Sequence, residues 1–237
     1  PFDVFARLSA QSPAGYAAFL NLPGRALVSN SPEQFLSVRP QPGGLWVESR
    51  PIKGTRPRGT APADDAALAA ELQASPKDRA ENLMIVDLMR NDLARASEPG
   101  SVAVPELFAL RSYANVHHLV SCVRGRLAAG RTACDAFFAA FPPGSVTGAP
   151  KLQAMSVIAA HEPPRGPYCG SLFWAGVDGA MEASVLIRSL ELIDDCAGWA
   201  FEARAGGGII ADSDPRAETD ETTAKIAAIL AALTRAP

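Results

Sequence analysis

Between residues 16 and 49 the chain reads Tyr16-Ala17-Ala18-Phe19-Leu20, Ala26-Leu27-Val28-Ser29, Gln34-Phe35-Leu36-Ser37-Val38 and Leu45-Trp46-Val47-Glu48-Ser49, four short apolar and aromatic runs. Pro23-Gly24, Pro32 and Pro42-Gly43-Gly44 punctuate them. Short runs separated by such breakers make residues 1–50 read as strand and hairpin material and predict an antiparallel meander. The last third repeats the pattern in Cys169-Gly170-Ser171-Leu172-Phe173-Trp174-Ala175, in the run from Ala183 to Leu192 and in Trp199-Ala200-Phe201-Glu202-Ala203. Residues 101–104 and 118–125 are further strand candidates.

Helical patterns fall between these strands. An Ala-rich segment covers about 64–73, and Ser75-Pro76-Lys77-Asp78 then supplies an N-cap, a first-turn proline and an acid at N3, which predicts a helix over 79–93. On that helix Leu83, Val86 and Met89/Arg90 mark one side, while Asp78 and Glu81, three apart, share another. A helix near 133–141 ends at Pro142-Pro143-Gly144. The next starts near Gly148-Ala149-Pro150-Lys151 with Leu152, Met155, Ile158 and Ala159 as an apolar stripe, and the final helix runs from about Pro215 to Leu233. Residues 51–63 read as a Pro/Gly/Arg loop. Meanders interleaved with helices give an α+β fold of antiparallel sheets with helices packed outside, taken as one domain over 1–237.

The 237 residues, 48% of them hydrophobic, suffice for a sizeable core. A net charge of −3 with interspersed signs offers no general basic surface for nucleic acid, so local cations are better read as serving a small anion. Apolar runs are broken well before the ~18 residues a membrane span needs, and no signal peptide stands at Pro1-Phe2-Asp3. Cys122, Cys134, Cys169 and Cys196 are isolated, without Cys-x-x-Cys or zinc spacing, which suggests a reduced cytoplasmic chain. The first residue is not methionine and the chain opens within what reads as an element, so a fragment or processed product is expected.

Chemistry is suggested first by Arg50-Pro51-Ile52-Lys53-Gly54-Thr55-Arg56-Pro57-Arg58-Gly59. A lysine crowded by like charge and partly desolvated is biased towards the nucleophilic free amine. The alternative is a tight Pro-x-x-Gly turn on a basic surface. Glu218, Glu221 and Lys225 share one face of the last helix, and with Asp78 and Glu81 could give the hard oxygens magnesium prefers. Acids near helix N-termini also simply suit the macrodipole. Gly206-Gly207-Gly208 and Gly144 to Lys151 could bring backbone N–H groups close to an anion, or be only turns; the second lacks the Walker ending. Alternation in Val116-His117-His118-Leu119-Val120 puts one histidine inward, as a core or a catalytic group. An inward Arg188 would need a carboxylate from the protein or a substrate.

In combination Lys77-Asp78-Arg79-Ala80-Glu81-Asn82, Gly144 to Lys151, and Gly206 to Ser213 followed by Glu218 to Lys225 resemble the chorismate-utilising enzyme family, from about Ala26 to the C-terminus. Pro51-Ile52-Lys53-Gly54-Thr55 resembles the aminodeoxychorismate synthase component I branch, where anthranilate and salicylate synthases typically carry alanine at the lysine position. The resemblance implies that Lys53 attacks C2 of chorismate as Glu33 protonates the departing C4 hydroxyl, after which ammonia adds at C4 and expels the lysine. The product, 4-amino-4-deoxychorismate, leads to 4-aminobenzoate and folate. It further implies Mg2+ on Glu81 and Glu221 beside Asp78 and Glu218, with His118 near the reacting ring. Gly54, Thr55, Ser145, Tyr168, Arg188, Gly206, Gly208 and Lys225 would hold the substrate carboxylates, and a glutamine amidotransferase subunit would supply ammonia. Anthranilate or isochorismate synthase chemistry, or a chorismate-binding fragment that does not turn over, are the alternatives. Family members normally carry a further N-terminal portion of similar length that this sequence does not contain.

Overall fold

The computed structural model describes residues 1–114, 116–195, 197–210 and 213–234. Cys196 and the Ala211-Asp212 part of the glycine-rich motif lie outside the described residues. In chain order the elements are α1 (Phe2–Gln11), β1 (Tyr16–Leu22), β2 (Arg25–Ser31), β3 (Gln34–Gln41), β4 (Gly44–Ser49), β5 (Ile52–Pro57), α2 (Pro62–Ala74), α3 (Pro76–Ala94), β6 (Ala103–Ser112) and β7 (Val116–Arg126). There follow α4 (Ala133–Ala140), α5 (Gly144–Thr147), α6 (Lys151–His161), β8 (Ser171–Ala175), β9 (Met181–Val185), β10 (Ser189–Asp194), β11 (Trp199–Ala203) and α7 (Pro215–Thr234). The fold is α+β with antiparallel sheets, as the sequence pattern predicts. The chain divides into two compact units, one of Pro1–Glu33, Pro163–Leu172 and Ser184–Pro237, the other of Gln34–Glu162 and Phe173–Ala183.

In the first unit the strand order is β1-β2-β10-β11, antiparallel throughout. Its core joins Val28, Leu190 and Leu192 of the sheet to Leu8 of α1 and Ile229 and Ala232 of α7. Fully burying each large aliphatic side chain contributes about 1.5–3 kcal/mol, so this layer fixes the two helices on the sheet. Arg7 adds a link by donating from Nε to the Ala232 carbonyl at 2.9 Å.

In the second unit β7 is the spine. One edge of β7 pairs with β4 over Val123–Arg126 and with β5 over Val116–Val120, and its other edge pairs with β6. Helix α3 starts as predicted, with the Ser75 hydroxyl accepting from Asp78 N at 3.3 Å and Pro76 in the first turn. It is locked to β7 by Asn82, whose Nδ2 donates to the Leu119 carbonyl at 3.2 Å while its Oδ1 accepts from the Ser121 hydroxyl at 2.5 Å.

Several expectations are corrected. Residues 2–11 form a helix, where the reading of residues 1–50 gave strand and hairpin material. The predicted 51–63 loop contains β5, an edge strand that tolerates Pro57 at its last position because no ladder N–H is lost from its interior. The strand expected at 101–104 runs instead over Ala103–Ser112. The buried face of α3 is Asn82, Ile85, Val86, Met89, Asp92 and Leu93, with Leu83 exposed; two polar residues with backbone and lysine partners displaced the apolar stripe as a guide. His117 and His118 are both buried, at 2% and 5% exposure, since Asp65 of α2 bonds the first and Thr55 of β5 the second, so neither side chain faces water. The α6 stripe is not a core stripe: no residue of α6 is buried and Leu152 is 81% exposed.

Candidate active site

Lys53 and Gly54 stand where the β5–β7 register shifts between Ile52 and Thr55. A bulge of this kind re-aims a side chain out of the sheet's alternation. Gly54 takes φ +86°, a conformation costly for any residue with a Cβ, and an added Cβ would meet Leu72 Cδ1 at 2.8 Å and Asp78 Cβ at 2.9 Å. The bulge therefore seats Lys53 close to the N-terminal turns of α3.

Lys53 is half-buried, and its Nζ donates to the Ser145 backbone carbonyl at 3.2 Å. The neighbouring arginines do not crowd it. Arg50 pairs with Glu48 and Glu106, Arg56 with Glu71 and Asp78, and Arg58 with Asp65. The expectation of a lysine among bare like charges is thus replaced by one in which Arg50, Arg56 and Arg58 are each paired with carboxylates and the lysine, among the described residues, donates to a neutral carbonyl.

Thr55 Oγ1 lies 2.9 Å from His118 Nδ1, so β5 brings a hydroxyl and an imidazole together beside the bulge. Tyr113 stacks edge-on over His118, ring centroids 5.6 Å apart. Asp78 and Glu81 lie one turn apart on α3, Asp78 engaged by Arg56 at 3.2 Å. On the other side of β7, His117 bonds Asp65 at 2.9 Å and Ser112 at 2.8 Å. The Arg58 side chain, then the Gly59 backbone N–H, hold the Asp65 carboxyl well below the usual carboxylate range. Burial pushes the Cys122 thiol up to about 12, which removes it as a nucleophile at neutral pH.

The first unit holds the remaining candidates. Arg188 has φ +49° and is largely buried, and burial lowers its pKa with no carboxylate acting on it. Among the described residues it forms no ion pair, so of the two partners left open, a protein carboxylate or a substrate, the first is not found there. Tyr168 lies near Gly206, since a Cβ built on Gly206 would stand 3.1 Å from the tyrosine hydroxyl. Lys225 Nζ donates to the Gly206 carbonyl at 3.1 Å and pairs with Glu221 at 2.6 Å. Glu218 accepts from the Ser213 hydroxyl at 2.6 Å, and its other oxygen would be 2.8 Å from a Cβ on Gly207. Side chains at Gly206 and Gly207 would press on the Tyr168 hydroxyl and the Glu218 carboxylate, and Gly208 continues the run in an exposed position. Glu33, 6% exposed, follows β2, its N–H donating to the Ser31 hydroxyl at 3.2 Å.

Lys53, Gly54, Thr55, Asp78, Glu81, His118 and Ser145 are accordingly grouped in the second unit, and Glu33, Tyr168, Arg188, Gly206, Gly208, Glu218, Glu221 and Lys225 in the first. Asn82 and Asp92 escaped the sequence reading. The signal was present, since polar residues at 82 and 92 recur in phase with Ile85, Val86 and Met89 on one helical face.

Comparison with known proteins adds an independent line. The profile of the family described as chorismate binding enzyme matches residues 1–231. The aminodeoxychorismate synthase of Streptomyces pristinaespiralis is 48% identical over 100% of this chain and 32% of its own length. Aminodeoxychorismate synthase component 1 of Klebsiella aerogenes is 47% identical over 97% of this chain and 49% of its own. Anthranilate synthase component 1 of Streptomyces coelicolor is 44% identical over 100% and 45%. The crystal structure of anthranilate synthase component I from Streptococcus pneumoniae superposes with a TM-score of 0.83 at 35% identity, over 97% of this chain and 49% of that one. The chain spans between about a third and a half of the length of these curated relatives, 32% to 49%. No helix among the described residues is long and apolar enough to cross a membrane.

Proposed function

The chain belongs to the chorismate binding enzyme family, and we propose that it carries the lysine-dependent amination of chorismate to 4-amino-4-deoxychorismate. The observation that carries this reading is Lys53: a half-buried lysine at a β-bulge, bonded to a backbone carbonyl and to no carboxylate among the described residues. Lys151, by contrast, is paired with the buried Asp92. A lysine amine held by a neutral carbonyl keeps its nitrogen available for attack on carbon in a way that an amine engaged by a carboxylate does not. The names of relatives at 48% and 47% identity support the same reaction.

In this reading Lys53 forms a bond to C2 of chorismate, the ring double bond shifts, and the C4 hydroxyl leaves as water with a proton from Glu33. Ammonia then bonds to C4 and the Lys53 amine departs from C2, restoring the ring and the free enzyme. Two displacements in sequence return the amine to the carbon the hydroxyl left. Arg188, with no carboxylate partner among the described residues, is the proposed partner for a substrate carboxylate, and charge-assisted pairing of that kind is worth about 1.5–3 kcal/mol. Lys225, Tyr168 and the N–H groups of Gly206 and Gly208 supply further donors in the same unit, and Thr55, Gly54 and Ser145 those near Lys53. His118, oriented by Thr55, faces the reacting ring.

Magnesium is proposed from the resemblance, with Glu81 and neighbouring Asp78 as its candidate carboxylates in the second unit and Glu221 and neighbouring Glu218 in the first; no group of three or more such side chains placed to hold a metal occurs among the described residues, and the ion, when bound, would offset substrate carboxylate charge. Ammonia would come from a glutamine amidotransferase subunit, as the component 1 designation of the relative suggests. A cytoplasmic location is part of the same proposal.

The test is incubation with chorismate, magnesium and ammonium, with product analysis of the wild type and Lys53→Ala. Aminodeoxychorismate formed by the wild type and lost in the variant is expected. Anthranilate or isochorismate as product, or stabilisation by chorismate without turnover, would overturn the proposal in favour of a sister reaction or a binding fragment.

A further inference from the structure

The face of α3 that carries Leu88 and Asp92, one turn apart, meets both ends of the segment that joins α4 to α6. At one end Gly144 packs so closely that a Cβ on it would stand 2.5 Å from Leu88 Cδ2. At the other, Lys151 Nζ lies 2.5 Å from Asp92 Oδ2 and donates to the Ala140 carbonyl at 2.7 Å, so one ammonium ties the start of α6 to α3 and to the last residue of α4. The two side chains are only 13% and 4% exposed. A buried ion pair is a poor source of stability, because apolar residues of the same volume often serve as well, but it fixes geometry.

Between these anchors the single turn α5 is closed by Gly148 N donating to Gly144 O at 3.0 Å and by the Thr147 hydroxyl donating to Pro143 O at 3.0 Å. That turn presents the Ser145 carbonyl to Lys53. Neither Asp92 nor Lys151 has a role in the chemistry above. We infer that the Lys151–Asp92 pair is a positioning device for Lys53: by clamping the 141–151 segment to α3 it holds the Ser145 carbonyl where it orients the Lys53 amine. The catalytic consequence rests on the reading of Lys53 as nucleophile; the mechanical link does not.

The test uses Lys151→Met, which keeps length and loses charge, and Asp92→Asn, which keeps shape if the first fails to fold. Lys53 acetylation by a small amine reagent is followed by peptide mass spectrometry, with exposed Lys77 as internal standard, at a temperature where circular dichroism shows the variants folded. Release of the turn uncovers the amine, so labelling of Lys53 relative to Lys77 is expected to rise about threefold or more, as local opening allows. In the chorismate assay kcat should fall by at least ~10-fold while KM for chorismate stays within about threefold, because misplacement of a reacting group costs rate rather than binding. In a Lys53→Ala background the Lys151→Met change should have no further effect on kcat. Unchanged Lys53 labelling in folded variants overturns the inference. Raised labelling together with undiminished amination by Lys53→Ala supports the clamp and instead defeats the nucleophile reading, so the two failures are distinguishable.

Discussion

Replacing Gly54 by alanine is the sharpest structural perturbation available at the bulge. The residue takes φ +86°, and forcing a Cβ into that region costs about 1–2 kcal/mol. The new Cβ would also stand 2.8 Å from Leu72 Cδ1 and 2.9 Å from Asp78 Cβ. Leu72 is fully buried and cannot swing aside, and the Asp78 Cβ is fixed by the first turn of α3, so overpacking adds about 1–3 kcal/mol. Together these give a destabilisation of about 2–5 kcal/mol. Relief by pushing α3 outward would loosen the 3.2 Å contact of Arg56 with Asp78 and shift Glu81 with it. Urea unfolding of the Gly54→Ala protein measures the loss directly. A difference from wild type below about 0.5 kcal/mol, the range of ordinary surface substitutions, would refute the argument that the bulge is sterically closed around a glycine.

Arg188→Met should weaken chorismate binding about 10- to 100-fold, the equivalent of a lost charged hydrogen bond, while leaving the unfolding midpoint unchanged or raised because a partly buried cation with no ion-pair partner among the described residues has gone; titration calorimetry with unaltered affinity would remove Arg188 from the carboxylate site. Asp65 titrates below its ordinary range when folded, so it stabilises the protein above about pH 4, the unfolded carboxylate value, and that contribution is lost as pH falls through the folded value. The stability gap between wild type and Asp65→Asn should therefore shrink on acidification, and urea midpoints showing a constant gap would contradict the assignment. Leu152→Ser, at the most exposed position of the α6 stripe, should change stability by no more than about 0.5 kcal/mol, whereas a loss of 2 kcal/mol or more, the scale of a core truncation, would show that the stripe is buried after all.

The meanders, the α3 cap and the last helix were legible because each depends on a local signal: breakers around apolar runs, Ser75-Pro76 before a periodic segment, and acids spaced along α7. The second family of features was not, because it depends on partners distant in sequence. Strand β5 hides in a Pro/Gly/Arg segment since its hydrogen bonds come from β7 some 60 residues on, with Thr55 opposite His118. The arginines around Lys53 look like a cationic cluster until Glu48, Glu71, Asp65, Asp78 and Glu106 are brought to them. Alternation puts one of His117 and His118 outward, yet both are buried, because α2 delivers Asp65 to His117 and β5 delivers Thr55 to His118. The candidate site was named almost entirely from short motifs, whereas what holds Lys53 in place, the Ser145 carbonyl and the α3 face behind it, required the fold.

The most direct measurement of the central claim is peptide mass spectrometry of the protein incubated with chorismate and magnesium but no ammonium, so that the first displacement occurs without the second. The account predicts a chorismate-derived adduct, formed with loss of water, on Lys53 alone, which disappears on addition of ammonium as aminodeoxychorismate is released. An unmodified Lys53 while chorismate is consumed would contradict it.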